Sequence, residues 1–260
     1  MLPDLNPRRR TLGLPPLEHF ADHLYGVPDL SLTLWPSWFA PLQPDWPQPL
    51  HVGDFQLHDP EADRPTLPEL MRFLEAGDAP VVVTFGTANL HARAVFAAAS
   101  VAVQRLGLRA VLLTSHREQL PAQLPDTVLW QEYVPLRALL ARAAAIVHHG
   151  GIGTTAEALR AGVPQLVLPL AHDQFDNAAR VRALGVGRAI VSPRRQVRGL
   201  AAGLRELMGS ISVRASCADV AARFSSTSGD VEAMCRAIEA VGTPGPDQSG
   251  PARARISSVG

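Results

Sequence analysis

The sequence predicts an α/β protein with a doubly wound parallel sheet. Between residues 79 and 191, short apolar segments alternate with segments whose apolar residues have helical spacing. The first apolar segment, residues 79–85, is continuously apolar, which is typical of a strand that is buried on both faces of a parallel sheet. Alternation at this spacing favours parallel strands with helices on both faces of the sheet.

Six segments have the composition and length of buried strands. Each is mainly apolar, is rich in Val, Leu, Ile or Ala, and is short enough to be one strand of a sheet. Ligands of such folds bind at the carboxyl ends of the strands, so the residues after each segment are candidate site residues. The predicted strands are 79–85, 110–113, 127–130, 144–148, 165–168 and 188–191.

Helical spacing of apolar residues recurs between these strands and after the last of them. The intervening segments connect consecutive parallel strands, which need such crossover connections. The predicted helices are 92–106, 136–142, 154–161, 177–184, 199–208, 213–224 and 230–241.

The first 66 residues differ from the rest. Five prolines between Pro36 and Pro49 exclude a regular element there. Before them only a helix at 16–24 and a strand at 30–35 are predicted, and these two elements cannot enclose a core. We therefore expect three regions, 1–66, 67–242 and 243–260, of which the last is rich in Pro, Gly and Ser and is expected to be disordered.

Composition favours an ordinary globular protein. Hydrophobic residues make up 47% of the 260 residues and the formal net charge is zero, so no nucleic-acid partner is predicted. No signal peptide or transmembrane segment is predicted, because the apolar runs are strand-sized, and the expected location is cytoplasmic. Cys217 and Cys235 lie far apart in a helical region and are interpreted as buried thiols rather than a disulfide.

The chain contains no lysine. All 24 of its basic residues are arginine. This excludes a lysine Schiff base, a pyridoxal-phosphate linkage and a Walker-type phosphate loop, each of which needs a lysine amine.

The segment 145–191 carries the strongest chemical signal. A predicted strand ends at His148 and His149 and is followed by a glycine turn and a pair of threonines that open a helix. Free N–H groups and the helix dipole make such a turn an anion site, which indicates a bound phosphate or diphosphate. Adjacent residues on a strand point to opposite faces, so the two histidines cannot chelate one metal ion and no metal site is predicted. One histidine is expected to pack or bond to backbone, and the other, His149, to face the turn.

Two helix residues after the turn have more than one interpretation. Thr154 and Thr155 are natural helix caps, and hydroxyls in that position also lie beside a docked phosphate. Glu157 is predicted to lie in the first turn of the helix. There it either stabilises the helix dipole or binds a ribose.

A dinucleotide-binding dehydrogenase is the competing interpretation of this segment. Gly151-x-Gly153-x-x-Ala156 matches the fingerprint, and Asp173 follows near the place of a ribose-binding acid. The fingerprint belongs after the first strand of such a domain, however, and here it follows the fourth. Asp173 also lies beyond the tip of its strand.

Several spaced motifs occur in one order along this part of the chain: His-His-Gly-Gly-x-Gly-Thr-Thr-x-Glu-Ala at 148–158, Ala-Gly-Val-Pro at 161–164, Pro169 and Asp-Gln-x-x-Asn-Ala at 173–178. Together they resemble the donor-binding half of two-domain nucleotide-sugar glycosyltransferases, which have the GT-B fold. The resemblance covers most of residues 79–240 and is closest to bacterial enzymes that glycosylate antibiotics, sterols and other lipophilic acceptors. It implies a Rossmann-like donor domain, with residues 1–66 a remnant of the acceptor domain and the interdomain linker.

The resemblance implies a diphosphate site around His149. The histidine would contact the diphosphate without a metal ion, and backbone amides would complete the site. These amides belong to the turn at Thr87 and to the segment that contains Gly151, Gly153, Thr154 and Thr155.

The same resemblance implies contacts to the rest of a nucleotide sugar. Glu157 would bind the ribose, and Tyr133 and Val134 would border the base. Asp173 and Gln174 would bond to hydroxyls of the sugar. The substrate would be a UDP- or dTDP-sugar, and no cofactor is implied.

The resemblance also implies transfer of a hexosyl group to a hydroxyl of a small lipophilic acceptor. In that family the catalytic base lies near the start of the acceptor domain, so no residue of this sequence inherits its role and the catalytic residue is unknown. The chain alone is therefore expected to bind donor with little or no transfer. The alternatives are a non-catalytic donor-binding subunit that pairs with a separate acceptor-domain chain, and a sugar-nucleotide epimerase.

Overall fold

The computed structural model describes residues 2–26, 28–57, 67–86, 92–191, 193–226 and 231–242. Backbone contacts divide the chain into two compact units. The first comprises Met1–Asp54 and Gly229–Gly260, and the second is Phe55–Ser228.

The first unit contains a small parallel sheet preceded by two helices, α1 (Leu2–Thr11) and α2 (Phe20–Gly26). Strand β1 (Ser31–Thr33) pairs in parallel with β2 (Leu50–Val52). The predicted helix at 16–24 and strand at 30–35 are confirmed as α2 and β1, with shifted ends. Neither α1 nor β2 was predicted. Helix α1 buries no side chain and contains Pro7, so it has no amphipathic pattern.

The second unit contains the predicted parallel sheet. Its strands have the spatial order β5-β4-β3-β6-β7-β8, and every neighbouring pair is parallel. The order reverses direction between β3 and β6, which makes this sheet doubly wound. The strands are β3 (Val81–Thr84), β4 (Ala110–Leu113), β5 (Val128–Gln131), β6 (Ala145–His148), β7 (Gln165–Val167) and β8 (Gly187–Ala189).

Helices connect these strands and follow the last of them. Helix α3 was not predicted, whereas the other six confirm predicted helices, with ends that differ by at most six residues. They are α3 (Pro68–Glu75), α4 (Arg93–Arg105), α5 (Leu136–Leu140), α6 (Ile152–Arg160), α7 (Gln174–Ala183), α8 (Pro193–Gly209) and α9 (Ile211–Ser226).

The sheet forms the centre of the hydrophobic core of this unit. Every residue of β3, β4, β6 and β7 is buried, as the continuous apolar runs predict. On one face, Val82, Val111 and Ile146 pack with Leu139 and Leu140 of α5. Burial of each such side chain contributes about 1.5–3 kcal/mol, which holds the strand ends in place beneath the loops that follow them.

The last helix, α10 (Val231–Gly242), belongs to the first unit. Its Met234 is buried against Gly53, where an added Cβ would lie 2.6 Å from the Met234 Sδ. The boundary between the two units lies between Asp54 and Phe55, and α10 belongs to the first unit. We expected this boundary at residue 66. Residues 243–260, which were expected to be disordered, lie outside the described residues.

Neither cysteine forms a disulfide, as predicted. Cys217 is a buried thiol whose Sγ lies 3.5 Å from the carbonyl oxygen of Val186, and burial raises its pKa to about 11. The prediction of burial was wrong for Cys235. This residue is exposed because it follows the buried Met234 on α10 and lies away from the buried side of the helix. Among the helices of the described ranges, none is both long and apolar enough to cross a bilayer.

Candidate functional site

The candidate site lies at the carboxyl edge of the sheet where the strand order reverses. Strands β3 and β6 are neighbours, with Thr84 opposite His148. The turn at Gly86 and the turn at Gly150 therefore leave the same edge side by side. Ligands of doubly wound sheets bind at this switch point.

His148 supports the glycine turn from inside the sheet. Its side chain is fully buried, and its Nδ1 accepts a hydrogen bond of 3.1 Å from the Gly150 N–H. The ring proton is therefore on Nε2, which donates to Oε1 of Gln165 at 3.0 Å. Burial lowers the pKa of His148 to about 3, with a smaller contribution from the charge of His149. This confirms that one histidine of the pair bonds to backbone.

Acidification is expected to destabilise the fold through His148. Its pKa is about 3 in the folded chain and 6.5 ordinarily, so the unfolded chain binds the extra proton between these values. The contribution is complete above pH 6.5 and falls by roughly 1 kcal/mol per pH unit below it. Urea unfolding at several pH values measures this slope. His148→Asn, which keeps an acceptor but does not titrate, should have a shallower slope; equal slopes would contradict the assignment.

His149 lies beyond the strand end, with its ring between two glycines. An added Cβ on Gly151 would lie 2.6 Å from the ring Nε2, and one on Gly86 would lie 3.1 Å from Cε1. The Nδ1 atom is buried and has no hydrogen-bond partner among the described residues. Burial lowers the pKa of His149, and the carboxylate of Asp173 partly opposes that shift. The result is a poorly solvated imidazole whose Nδ1 makes no hydrogen bond within the part of the chain that the structure describes.

Helix α6 presents free N–H groups next to this ring. The residue before the helix, Gly151, is extended, and its carbonyl oxygen accepts the first helical hydrogen bond, from the N–H of Thr155. The N–H groups of residues 152–154 precede that bond and have no acceptor within the helix. No side chain caps this end. An uncapped helix N-terminus favours an anion.

The predicted capping by threonine is wrong. Thr155 is buried inside the helix, and its hydroxyl donates to the Gly151 carbonyl at 3.0 Å. Because α6 begins at Ile152 rather than at residue 154, the residue in the cap position is Gly151. Thr154 and the exposed Gly153 lie in the first turn, where their N–H groups are available.

Glu157 lies in the second turn of α6, so its predicted place in the first turn is wrong for the same reason. Its Oε2 accepts hydrogen bonds from Arg160, at 3.0 Å from Nε and 2.6 Å from Nη2. A dipole interaction with the helix start is therefore weakened by distance. The arginine holds the carboxylate in one orientation.

The loop after β7 brings Asp173 and Gln174 towards the glycine turn. His172 has a positive φ of 55°, a strained conformation for a residue with a side chain. Oε1 of Gln174 accepts hydrogen bonds from the N–H groups of Leu170 and Ala171, at 2.8 and 3.0 Å. Asp173 is exposed, and its Oδ2 accepts a 2.9 Å hydrogen bond from Nδ2 of Asn177. These bonds use only the oxygen of the Gln174 amide and leave its nitrogen as a donor.

The remaining predicted site residues have different surroundings. Tyr133, after the edge strand β5, is 47% exposed. The side chain of Val134 lies in the hydrophobic core with Val82 and Val111 and is therefore not available to a ligand. Thr87 lies outside the described residues.

Sequence reasoning gave no site role to two buried polar residues of this region, Gln165 and Asn177. A polar residue in the otherwise apolar, buried strand β7 is the signal that could have found Gln165, because buried polar groups need partners. Within the described ranges, no three His, Cys, Asp or Glu side chains lie close enough to hold a metal ion.

Comparison with known proteins identifies the class of this domain. Residues 102–239, more than half of the chain, match the family described as Erythromycin biosynthesis protein CIII-like, C-terminal domain. The chain is 39% identical to vancomycin aglycone glucosyltransferase of Amycolatopsis orientalis over 195 residues, which are 73% of this chain and 45% of that enzyme. It is 36% identical to O-mycaminosyltylonolide 6-deoxyallosyltransferase of Streptomyces fradiae over 213 residues, 78% of this chain and 48% of that enzyme.

Solved structures give the same result. The glycosyltransferase SnogD from Streptomyces nogalater matches with a TM-score of 0.63 and 29% identity, over 81% of this chain and 56% of that one. The spinosyn rhamnosyltransferase SpnG, in complex with thymidine diphosphate, matches with a TM-score of 0.67 and 25% identity, over 90% and 60%.

These matches favour the glycosyltransferase resemblance over the dehydrogenase alternative. The chain spans about half the length of the curated relatives that it matches. The chain belongs to the family of Erythromycin biosynthesis protein CIII-like C-terminal domains, the Rossmann-like C-terminal half of GT-B antibiotic glycosyltransferases.

Proposed function

We propose that this chain binds a nucleoside diphosphate sugar, of the UDP or dTDP class, as the donor domain of a metal-independent inverting glycosyltransferase. One observation carries the proposal: the ring of His149, whose buried Nδ1 has no hydrogen-bond partner among the described residues, lies with its Nε2 edge against Gly151 at the uncapped N-terminus of α6. Together they offer an imidazole and free N–H groups to one anion at the switch point of the sheet. A diphosphate matches this set of donors without lysine or metal.

The neighbouring side chains suit the other parts of such a donor. Asp173 and the amide nitrogen of Gln174 can bond to sugar hydroxyls. Glu157, oriented by Arg160, can accept from ribose hydroxyls. The exposed ring of Tyr133 and the backbone of Val134 can border the base. One structural relative is a complex with thymidine diphosphate, which supports a dTDP donor.

In the complete reaction, a base from an acceptor-binding domain would deprotonate an acceptor hydroxyl. The oxygen would attack the anomeric carbon as the C–O bond to the diphosphate breaks, and His149 and the α6 N-terminus would stabilise the leaving charge. We propose that this chain, which acts in the cytoplasm, supplies only the donor half of that site, so alone it binds without transfer. The acceptor would be a small lipophilic molecule with a hydroxyl group.

Titration calorimetry of the folded chain with UDP, dTDP and their glucose derivatives tests donor binding. We expect saturable binding of at least one of the four. Circular dichroism of the same sample confirms that the chain is folded. No heat of binding with any of them would refute the proposal.

Binding of a nucleotide sugar is expected to tighten as the pH falls. Burial holds the pKa of His149 below its ordinary 6.5, and a nearby diphosphate would raise it. The added affinity is therefore complete below the free pKa and is lost as the pH rises through the bound pKa. We expect up to about a tenfold gain between about pH 8 and about pH 5.5.

The measurement is calorimetry with UDP- or dTDP-glucose, whose diphosphate does not titrate in this range. His149→Asn is the control, because it keeps a hydrogen-bonding group without titrating. The same pH dependence in this variant would remove His149 as its source.

A second candidate is a non-catalytic donor-binding subunit that pairs with a separate acceptor-domain chain. The first unit favours it: its parallel sheet has only two strands among the described residues, and Leu34, directly after β1, and Val52, at the end of β2, are 47% and 40% exposed. Parallel strands are usually found in larger, covered sheets. Co-purification from the native host of an acceptor-domain protein that restores transfer would support it. Transfer by the isolated chain would refute it.

A further inference from the structure

The amide side chain of Asn177 connects two parts of the site. Asn177 lies on α7, where it is 5% exposed. One hydrogen bond of 2.9 Å runs from its Nδ2 to the carbonyl oxygen of Gly150, and a second of 2.9 Å runs from Nδ2 to Oδ2 of Asp173. Both donors of the amide are therefore used.

These bonds complete the support of the Gly150 peptide units. The N–H of Gly150 donates to His148 from one side, and its carbonyl oxygen accepts from Asn177 on the other. Gly150 has a positive φ of 94°, so the chain turns sharply between its two supports. The direction of this turn determines where His149 and the first N–H groups of α6 point.

Asp173 depends on the same amide for its orientation. Its carboxylate is exposed, and its one side-chain hydrogen bond among the described residues is the bond from Asn177. Without that bond the carboxylate would sample several rotamers, and a ligand would have to order it on binding.

We propose that Asn177 is a positioning residue that couples the glycine turn to Asp173 and so holds the two ends of the site at a fixed separation. The identity of the groups bound there, a diphosphate and a sugar, rests on the proposed function above. The coupling itself is a property of the ligand-free chain. The two can therefore be tested separately.

The ligand-free test is the ¹H–¹⁵N spectrum of the full chain. The amide of Gly151 shares a peptide unit with the Gly150 carbonyl, so its shift reports the bond from Asn177. Asp173→Ala is expected to move this signal in the wild-type background and to move it less than half as far in the Asn177→Leu background. An equal displacement in both backgrounds would overturn the proposal. Asn177→Ser, which is smaller, replaces Asn177→Leu if the latter does not fold.

The ligand test is a double-mutant cycle of Asn177→Leu and Asp173→Ala, read by calorimetry with a nucleoside diphosphate and its glucose derivative. We expect Asn177→Leu to weaken binding of the nucleotide sugar about tenfold more than binding of the nucleotide. This extra loss of affinity should be absent in the Asp173→Ala background. If the role of Asn177 is merely structural, Asn177→Leu will weaken binding of both ligands alike. Additive effects of the two substitutions on the affinity for the nucleotide sugar would overturn the proposed coupling. If the wild-type chain binds neither ligand, the proposed function fails, and the spectrum still decides whether Asn177 couples the two elements.

Discussion

Replacing Gly150 with alanine is expected to destabilise the second unit by roughly 2–5 kcal/mol. Its φ of +94° is strained for any residue with a side chain. The added Cβ would also lie 2.8 Å from Cγ1 of Val167 and 3.1 Å from the backbone oxygen of Gln174. Val167 is in a buried strand and the Gln174 oxygen belongs to the backbone of α7, so neither neighbour can move freely. Urea denaturation followed by circular dichroism measures the loss.

Gly153→Ala is the matched control. It lies three residues away, in the first turn of α6, and an added Cβ there has no heavy atom within 4 Å. We expect its free energy of unfolding to stay within about 1 kcal/mol of wild type, with a gain from the better helix propensity of alanine. A loss below about 1 kcal/mol for Gly150→Ala would contradict the packing described for this turn.

The second large effect is on ligand binding. Gly151→Ala is expected to weaken nucleotide binding about a hundredfold, which is close to 3 kcal/mol, while the chain remains folded. Gly151 has an ordinary extended backbone, with φ of −60° and ψ of 141°, so alanine brings no backbone strain. Its Cβ would instead lie 2.6 Å from Nε2 of His149, and the ring would have to move.

Calorimetry with UDP and dTDP measures this loss of affinity. Gly209→Ala, at the end of α8, adds the same methyl group where no heavy atom lies within 4 Å, and should bind as wild type does. Unchanged affinity in Gly151→Ala would show that the position of the His149 ring does not matter for binding.

Much of the fold was predictable because parallel strands that are buried on both faces are continuously apolar. Residues 79–85 and 144–148 have that composition, and both contain strands of the sheet. Helix α1 lacks any such pattern. It buries no side chain, and Asn6 instead exchanges two hydrogen bonds with the backbone of Leu17, which periodicity cannot reveal.

The site was predictable where a residue type has one chemical use. The glycine turn before a helix indicated an anion site, and the structure places free N–H groups there. The predicted start of α6 was wrong by two residues. A residue with a capping side chain was expected before the helix, whereas the cap position is occupied by Gly151. Asn177 stayed hidden because its partners lie 27 and 4 residues away, and only the fold brings them to one amide.

The grouping of α10 with the N-terminal segment has a consequence for exchanging donor modules between relatives. The second unit is one uninterrupted piece of sequence, Phe55–Ser228, whereas the first is assembled from both ends of the chain. Met234 covers Gly53 within that first unit. A chimera that transplants everything after residue 54 would therefore carry α10 away from the N-terminal segment with which it forms the first unit. Transplanting Phe55–Ser228 alone moves the second unit as one piece and leaves both segments of the first unit together.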